Sequence, residues 1–183
     1  LGGNGKIRLN IEAEEVDDLV TQVPISATAE APGNLAKARR FQVTLDSSLL
    51  LDAIGIPGGK IDNQLNWRDT RMLDPVLGVH RQWNGNRWYW NVEFRQDVPG
   101  TKWAWGLFTE QQSTNHFYRL DYEERFGGTR PFGSLFLEHK DMWGLKIRAT
   151  VGNLWNTKDH TQSVSYLARR DGPVDYARDY YIT

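Results

Sequence analysis

Four histidines, two adjacent carboxylate pairs and one glycine-rich turn are the groups in this chain that could do chemistry, and each fails on spacing. His80, His116, His139 and His160 are far apart, with no second His or Cys at the spacing of a metal site. His139 beside Glu138 reads as a residue at a strand end. Residues 55–60 (GIPGGK) are one residue short of a phosphate loop, and Ile61 stands where Ser or Thr is required. They read instead as a tight turn in which glycine supplies positive φ. In Asp17-Asp18 and Glu123-Glu124 the neighbours on extended chain point apart, so neither pair makes an acid and a base for one substrate. There is no Gly-x-Ser-x-Gly elbow and no cysteine. The expectation is a protein that is not an enzyme, with no catalytic residue, metal or cofactor.

Composition narrows the partners. The formal net charge is −1 over 183 residues and no Lys/Arg-rich run stands out, which argues against nucleic acid. Mean hydropathy is −0.60, and no stretch approaches the ~20 apolar residues of a membrane helix. A membrane remains open, because barrel strands hide their hydrophobicity in alternation. The chain is long enough for one domain with a sizeable core, and no repeat or linker divides it.

The elements that carry these residues are strands. Residues 6–14 (KIRLNIEAE) place Ile7, Leu9, Ile11 and Ala13 on one face, opposite Lys6, Arg8, Asn10, Glu12 and Glu14. Residues 87–95 place Trp88, Trp90, Val92 and Phe94 opposite Arg87, Tyr89, Asn91, Glu93 and Arg95. Period two is the signature of sheet and not of helix. The same alternation marks 39–51, 60–70, 102–110, 131–139 and 145–153, giving an antiparallel meander of about seven strands. Short turns at 52–59, 98–101 and 140–144 each follow a long connection at 15–38, 71–86 or 111–130. All long loops therefore fall at one end of the sheet, as they do in outer-membrane barrels. The last thirty residues, 154–183, are polar with scattered tyrosines.

Eight tryptophans sharpen the pattern. Trp67, Trp88, Trp90 and Trp155 fall near the long-loop end of their strands, Trp103, Trp105 and Trp143 near the short-turn end, and Trp83 in a loop tip. Two aromatic bands flanking an apolar belt suit the interfaces of a membrane. Core anchors would concentrate mid-strand, and a sugar-stacking platform would gather on one face. The expected lipid-facing belt is Val43, Leu65, Trp88, Trp90, Val92, Trp103, Trp105, Leu107 and Ile147. The charged face, with Arg8, Arg40, Arg68, Arg87, Arg95 and Arg148, suits either a solvated exterior or a barrel lumen. Trp83, Tyr118, Tyr122, Tyr166 and Tyr176 are the candidate ligand contacts from the loops.

Residues 132–156 (FGSLFLEHKDMWGLKIRATVGNLWN) resemble the C-terminal barrel strands of TonB-dependent outer-membrane receptors. Gly152-Asn153-Leu154-Trp155-Asn156 stands where the family commonly carries Asn-Leu-Phe-Asp/Asn, with Trp for Phe. Further pieces are similar to one branch of the family. These are Gly33-Asn34-Leu35 with Ala38-Arg39-Arg40, Arg71 with Asp74-Pro75, Asp97-Val98-Pro99-Gly100 with Trp103-Ala104-Trp105-Gly106, and Arg169-Arg170-Asp171-Gly172-Pro173-Val174.

The resemblance implies that residues 1–183 are part of a transmembrane β-barrel of about 22 strands, lacking the plug domain and the final strand. It implies energised uptake of a scarce nutrient across the bacterial outer membrane, a ferric siderophore first, with carbohydrate or cobalamin as the other candidates. The implied partners are outer-membrane lipid, that small molecule, and the TonB complex through the missing N-terminal region. Such a piece should form an open, curved sheet. The alternative is a soluble antiparallel β-barrel or sandwich binding a small apolar or sugar ligand.

Overall fold

The computed structural model describes residues 5–182. They form twelve strands and one 3₁₀ turn (Asp52–Ile54), with no α-helix. The strands are β1 (Gly5–Pro24), β2 (Glu30–Leu50), β3 (Gly59–Leu73), β4 (His80–Arg81), β5 (Trp88–Asp97) and β6 (Trp103–Gln112), followed by β7 (Asn115–Tyr118), β8 (Tyr122–Gly128), β9 (Phe132–Met142), β10 (Leu145–Gly152), β11 (Asp159–Tyr166) and β12 (Val174–Ile182). The main sheet runs β1-β2-β3-β5-β6-β9-β10, with β4 on β3, and a second sheet runs β12-β11-β8-β7. Every pairing is antiparallel. Neither sheet closes on itself.

The two sheets are one meander with interrupted strands. β6 pairs β9 while β7 pairs β8, and β9 pairs β10 while β8 pairs β11. So β6–β7, β8–β9 and β10–β11 are each a single long pass, broken at 113–114, 129–131 and 153–158. The break in the last pass is the Asn153-Leu154-Trp155-Asn156 segment. Asn153 and Asn156 take left-handed φ of 53° and 51°, a conformation that Asn tolerates better than most residues. The Asn153 side chain accepts from the Thr157 N–H at 2.6 Å and donates to the Thr157 carbonyl at 3.0 Å. Leu154 N–H donates to the Gly133 carbonyl at 3.0 Å. The loop lays the Trp155 ring flat on Gly133, where a Cβ would lie 1.6 Å from the ring. Only glycine fits beneath that ring.

Two of the long connections expected from the sequence are mostly strand. Of 15–38 only 25–29 is loop, and of 111–130 only short breaks remain. The β1–β2 ribbon extends to Pro24 opposite Glu30, well past Ala38, where β2 takes up its pairing with β3. A two-stranded arm beyond the main sheet needs no alternation, so its polar sequence hides it. Pro24 ends its strand, and Pro32 lies in the outward-reaching arm, the positions a sheet allows proline. Residues 154–182, read as plain polar chain, hold β11 and β12. The short turns at 51–58, 98–102 and 143–144 lie at the opposite end from these extensions.

Candidate functional site

The faces of the main sheet sort as alternation demands. Val43 stands opposite Trp67, Leu65 opposite Trp90, Trp67 opposite Trp88, and Phe94 opposite Leu107. Trp105 stands opposite Leu137, Trp103 opposite His139, and His139 opposite Ile147. Cross-strand partners share a face, so every belt residue expected from the sequence lies on one face of one sheet. That face is open: Leu9 is 60% exposed, Leu137 51% and Val151 64%. Edge-to-face aromatic pairs tie its strands together, Phe41 with Trp67 at 5.9 Å and Phe94 with Trp105 at 5.0 Å. The polar face is the sheltered one, with Glu138 and Ala104 fully buried. There Arg95 reaches Glu138 at 2.8 Å and Asp97 at 2.9 Å, while Arg148 covers the Phe136 ring at 3.6 Å.

The apolar stripe runs obliquely to the strands. Ile7 opens it in β1, and the row from Ile7 passes through Ser47, Asn63, Val92 and Thr109 to Gly133. Gly133 lies beyond Leu135, the opposite end of the stripe in β9. From β1 to β9 the stripe therefore slides roughly six or seven residues over five strand-to-strand steps, most of it between β5 and β6. With ~3.3 Å per residue and ~4.8 Å between strands, the stripe crosses the sheet at about 40° to the direction perpendicular to the strands.

At the opposite end from the short turns, four connections meet on one buried carboxylate. Asp74, fully buried, accepts from the N–H groups of Val76 at 2.8 Å and Leu77 at 3.0 Å, and from Arg81 Nε at 2.6 Å. Arg170 Nη2, from the β11–β12 loop, donates to its two oxygens at 2.9 and 2.7 Å. Arg170 also donates through Nε to the Arg119 carbonyl at 2.6 Å, in the β7–β8 turn. In that turn Arg119 Nε and the Leu120 N–H, the latter at 2.9 Å, both donate to Glu30 at the base of the β1–β2 tip. Tyr118 lies under both guanidinium groups, 4.5 Å from Arg81 and 5.1 Å from Arg170. Burial pushes the Asp74 carboxyl up, but the bonds from Arg170, Leu77 and Val76 outweigh it and hold the group below its ordinary value. Burial lowers Arg81, and Asp74 partly restores it. A carboxylate engaged by this many donors is a clamp and offers no free lone pair to act as a base.

Four of the five expected loop contacts lie in strands. Tyr118 ends β7, Tyr122 begins β8, Tyr166 ends β11 and Tyr176 lies in β12. Tyr122 donates to Glu124, Tyr166 to Glu123 at 3.4 Å, and Tyr176 sits under Arg178 at 5.1 Å. Trp83 is in the β4–β5 connection, half-buried, its backbone N–H on Thr70 Oγ1 at 3.1 Å. The structure brings only Tyr118 into the Asp74 cluster. The residues missed from sequence are Arg81, Arg119 and Glu30. Asp74 and Arg170 were visible as separate motifs, and nothing local to either pointed to the other, 96 positions away. Among the described residues no group of three His, Cys, Asp or Glu could hold a metal ion. No family model matches this sequence, and neither a curated protein nor a solved structure matches it.

Proposed function

We propose that this chain is part of the barrel of a TonB-dependent outer-membrane transporter, with the apolar stripe against lipid and the charged face toward the lumen. The observation that carries the reading is the slant of the stripe. A lipid band sits at constant height, so strands tilted by about 35–45° must carry it obliquely. Averaged over its five steps, the stripe crosses this sheet at about that angle, with the largest displacement between β5 and β6. Tryptophans border it along the same slant, Trp67, Trp88 and Trp155 on one side and Trp103, Trp105 and Trp143 on the other, as headgroup regions favour. The apolar side chains also lie on the open face of the sheet, where a soluble fold would present polar groups. The family assignment itself rests on the ordered motifs of the sequence. Within it, the implied work is energised uptake of a scarce nutrient, a ferric siderophore first and a carbohydrate or cobalamin next.

Fractionation of source cells with an antibody against residues 154–183 tests this. The expected result is a band several times heavier than 21.1 kDa in the outer-membrane fraction, retained through alkaline extraction. A 21.1 kDa band in the soluble fraction overturns it in favour of a soluble barrel or sandwich.

A further inference from the structure

The strand breaks at 113–114, 129–131 and 153–158 leave a cavity of about 420 Å³ between the two sheets. Its volume falls within the ~300–1,000 Å³ of small-molecule sites. Tyr89, Glu110, Gln112, Arg130, Phe132 and Asp159 line it. Their hydrogen-bonding capacity is only partly used. The Tyr89 hydroxyl donates to one Glu110 oxygen at 2.7 Å, leaving the other oxygen open. Asn86 donates to the Gln112 carbonyl oxygen at 2.7 Å, which leaves the Gln112 amide N–H groups to donate. Arg130 makes one long bond, 3.4 Å, to the Trp155 carbonyl. Phe132 is 38% exposed.

The charges decide what fits. Two carboxylates against one guanidinium leave the cavity with an excess of negative charge, which opposes an anionic chelate or a phosphate. Separated donors and acceptors around a flat apolar ring match a molecule whose rim carries hydroxyls and whose face carries C–H groups. We infer that this cavity binds a neutral saccharide of one or two rings, stacked on Phe132, with Glu110 and Asp159 accepting from its hydroxyls and Gln112 and Arg130 donating to them. This rests on the uptake reading only for its biological role, since the cavity belongs to the polar side of the sheet junction and needs no lipid.

Calorimetric titration of the full chain, held in a detergent without sugar headgroups, tests it with glucose, galactose, maltose and sucrose as probes. Inorganic phosphate and ferric citrate serve as competitors. The expected result is saturable binding of at least one sugar, unaffected by either anion, and weakened about tenfold or more by Asp159→Asn and by Phe132→Ala. Far-ultraviolet dichroism checks that each variant keeps its strands, and Gln112→Leu replaces any variant that loses them. No binding by any of the four sugars to a folded chain overturns the inference. So does an unchanged affinity in the folded variants, or binding of ferric citrate or phosphate that Arg130→Gln abolishes. Partitioning of the same chain into lipid vesicles is read separately, so failure of the membrane reading and failure of the saccharide site are distinguishable.

Discussion

Asp74→Ala should open the long-loop end of the molecule while leaving the main sheet intact. The side chains of Asp74 and Arg170 are 0% and 2% exposed, and that of Arg81 is 12% exposed. Removing the carboxylate leaves Arg81 Nε, Arg170 Nη2 and the N–H groups of Val76 and Leu77 without their acceptor. Breaking a buried pair from one side costs about 3–5 kcal/mol, and about 1.4 kcal/mol is a factor of ten in an opening equilibrium. Amide exchange in 25–30, 74–81, 116–122 and 167–173 should therefore accelerate together by about 10²-fold to 4 × 10³-fold, up to the limit set by their global stability. Exchange in β5 and β6 should stay unchanged. Mass spectrometry on peptic fragments resolves these segments. If 74–81 accelerates while 25–30 and 116–122 stay protected, the four connections are not one cooperative unit and the clamp is local to its own turn. Asp74→Leu combined with Arg170→Met should recover part of the loss, because the Arg170 charge is no longer stranded, while Arg81 still lacks its carboxylate.

Further outcomes follow from the same geometry. The Asp74 carboxyl is held below its ordinary value, so its contribution is complete above the unfolded carboxylate pKa of about 3.9 and is lost as pH falls through the folded value. Protection of the clamp segments, corrected for intrinsic rates, should be flat from neutral pH down to about 5 and should decline only below about 4. Val92→Arg should cost about 2–4 kcal/mol of assembly if that residue lies at the bilayer midplane, measured by folding titrations into lipid vesicles. The same substitution at Glu93, its neighbour on the other face, should cost far less. Gly133→Val should displace Trp155, seen as a red shift of its emission in a variant keeping that tryptophan alone, because a Cβ there lies 1.6 Å from the ring. Asn153→Ala should cost about 2 kcal/mol in thermal or denaturant unfolding by losing two side-chain bonds and a tolerated left-handed conformation, and Asn153→Gly should recover part of that.

Legibility in the sequence tracked alternation, since 6–14 and β10 are exposed throughout and still readable. β2, β3, β5, β6, β9 and β10 meet other strands on both edges or present one apolar face, and period two marks each of them. The β1–β2 arm beyond Ala38 has no sheet behind it, so Glu15 to Pro24 carries no such mark and reads as loop. The breaks at 113–114, 129–131 and 153–158 interrupt the alternation, and β7, β8 and β11 dissolve into apparent polar chain. The shared face of Val43, Leu65, Trp90 and Leu107 was readable because these residues sit in regular strands. The clamp was not, because Asp74 finds Arg170 across 96 positions and Glu30 finds Arg119 across 89. Local pattern carries no trace of pairings that only the curl of the sheet creates.

Residues 1–183 hold no cysteine, so each thiol introduced among them is the only one within this chain. Single-cysteine variants at 88 through 96, spin-labelled in lipid bilayers, report oxygen access from the membrane against access to a water-soluble nickel chelate. The lipid-belt account predicts a period-two pattern, with oxygen access highest at positions 88, 90, 92 and 94 and nickel access highest at 89, 91, 93 and 95. Oxygen access highest at the odd positions, or no alternation along β5, would contradict it.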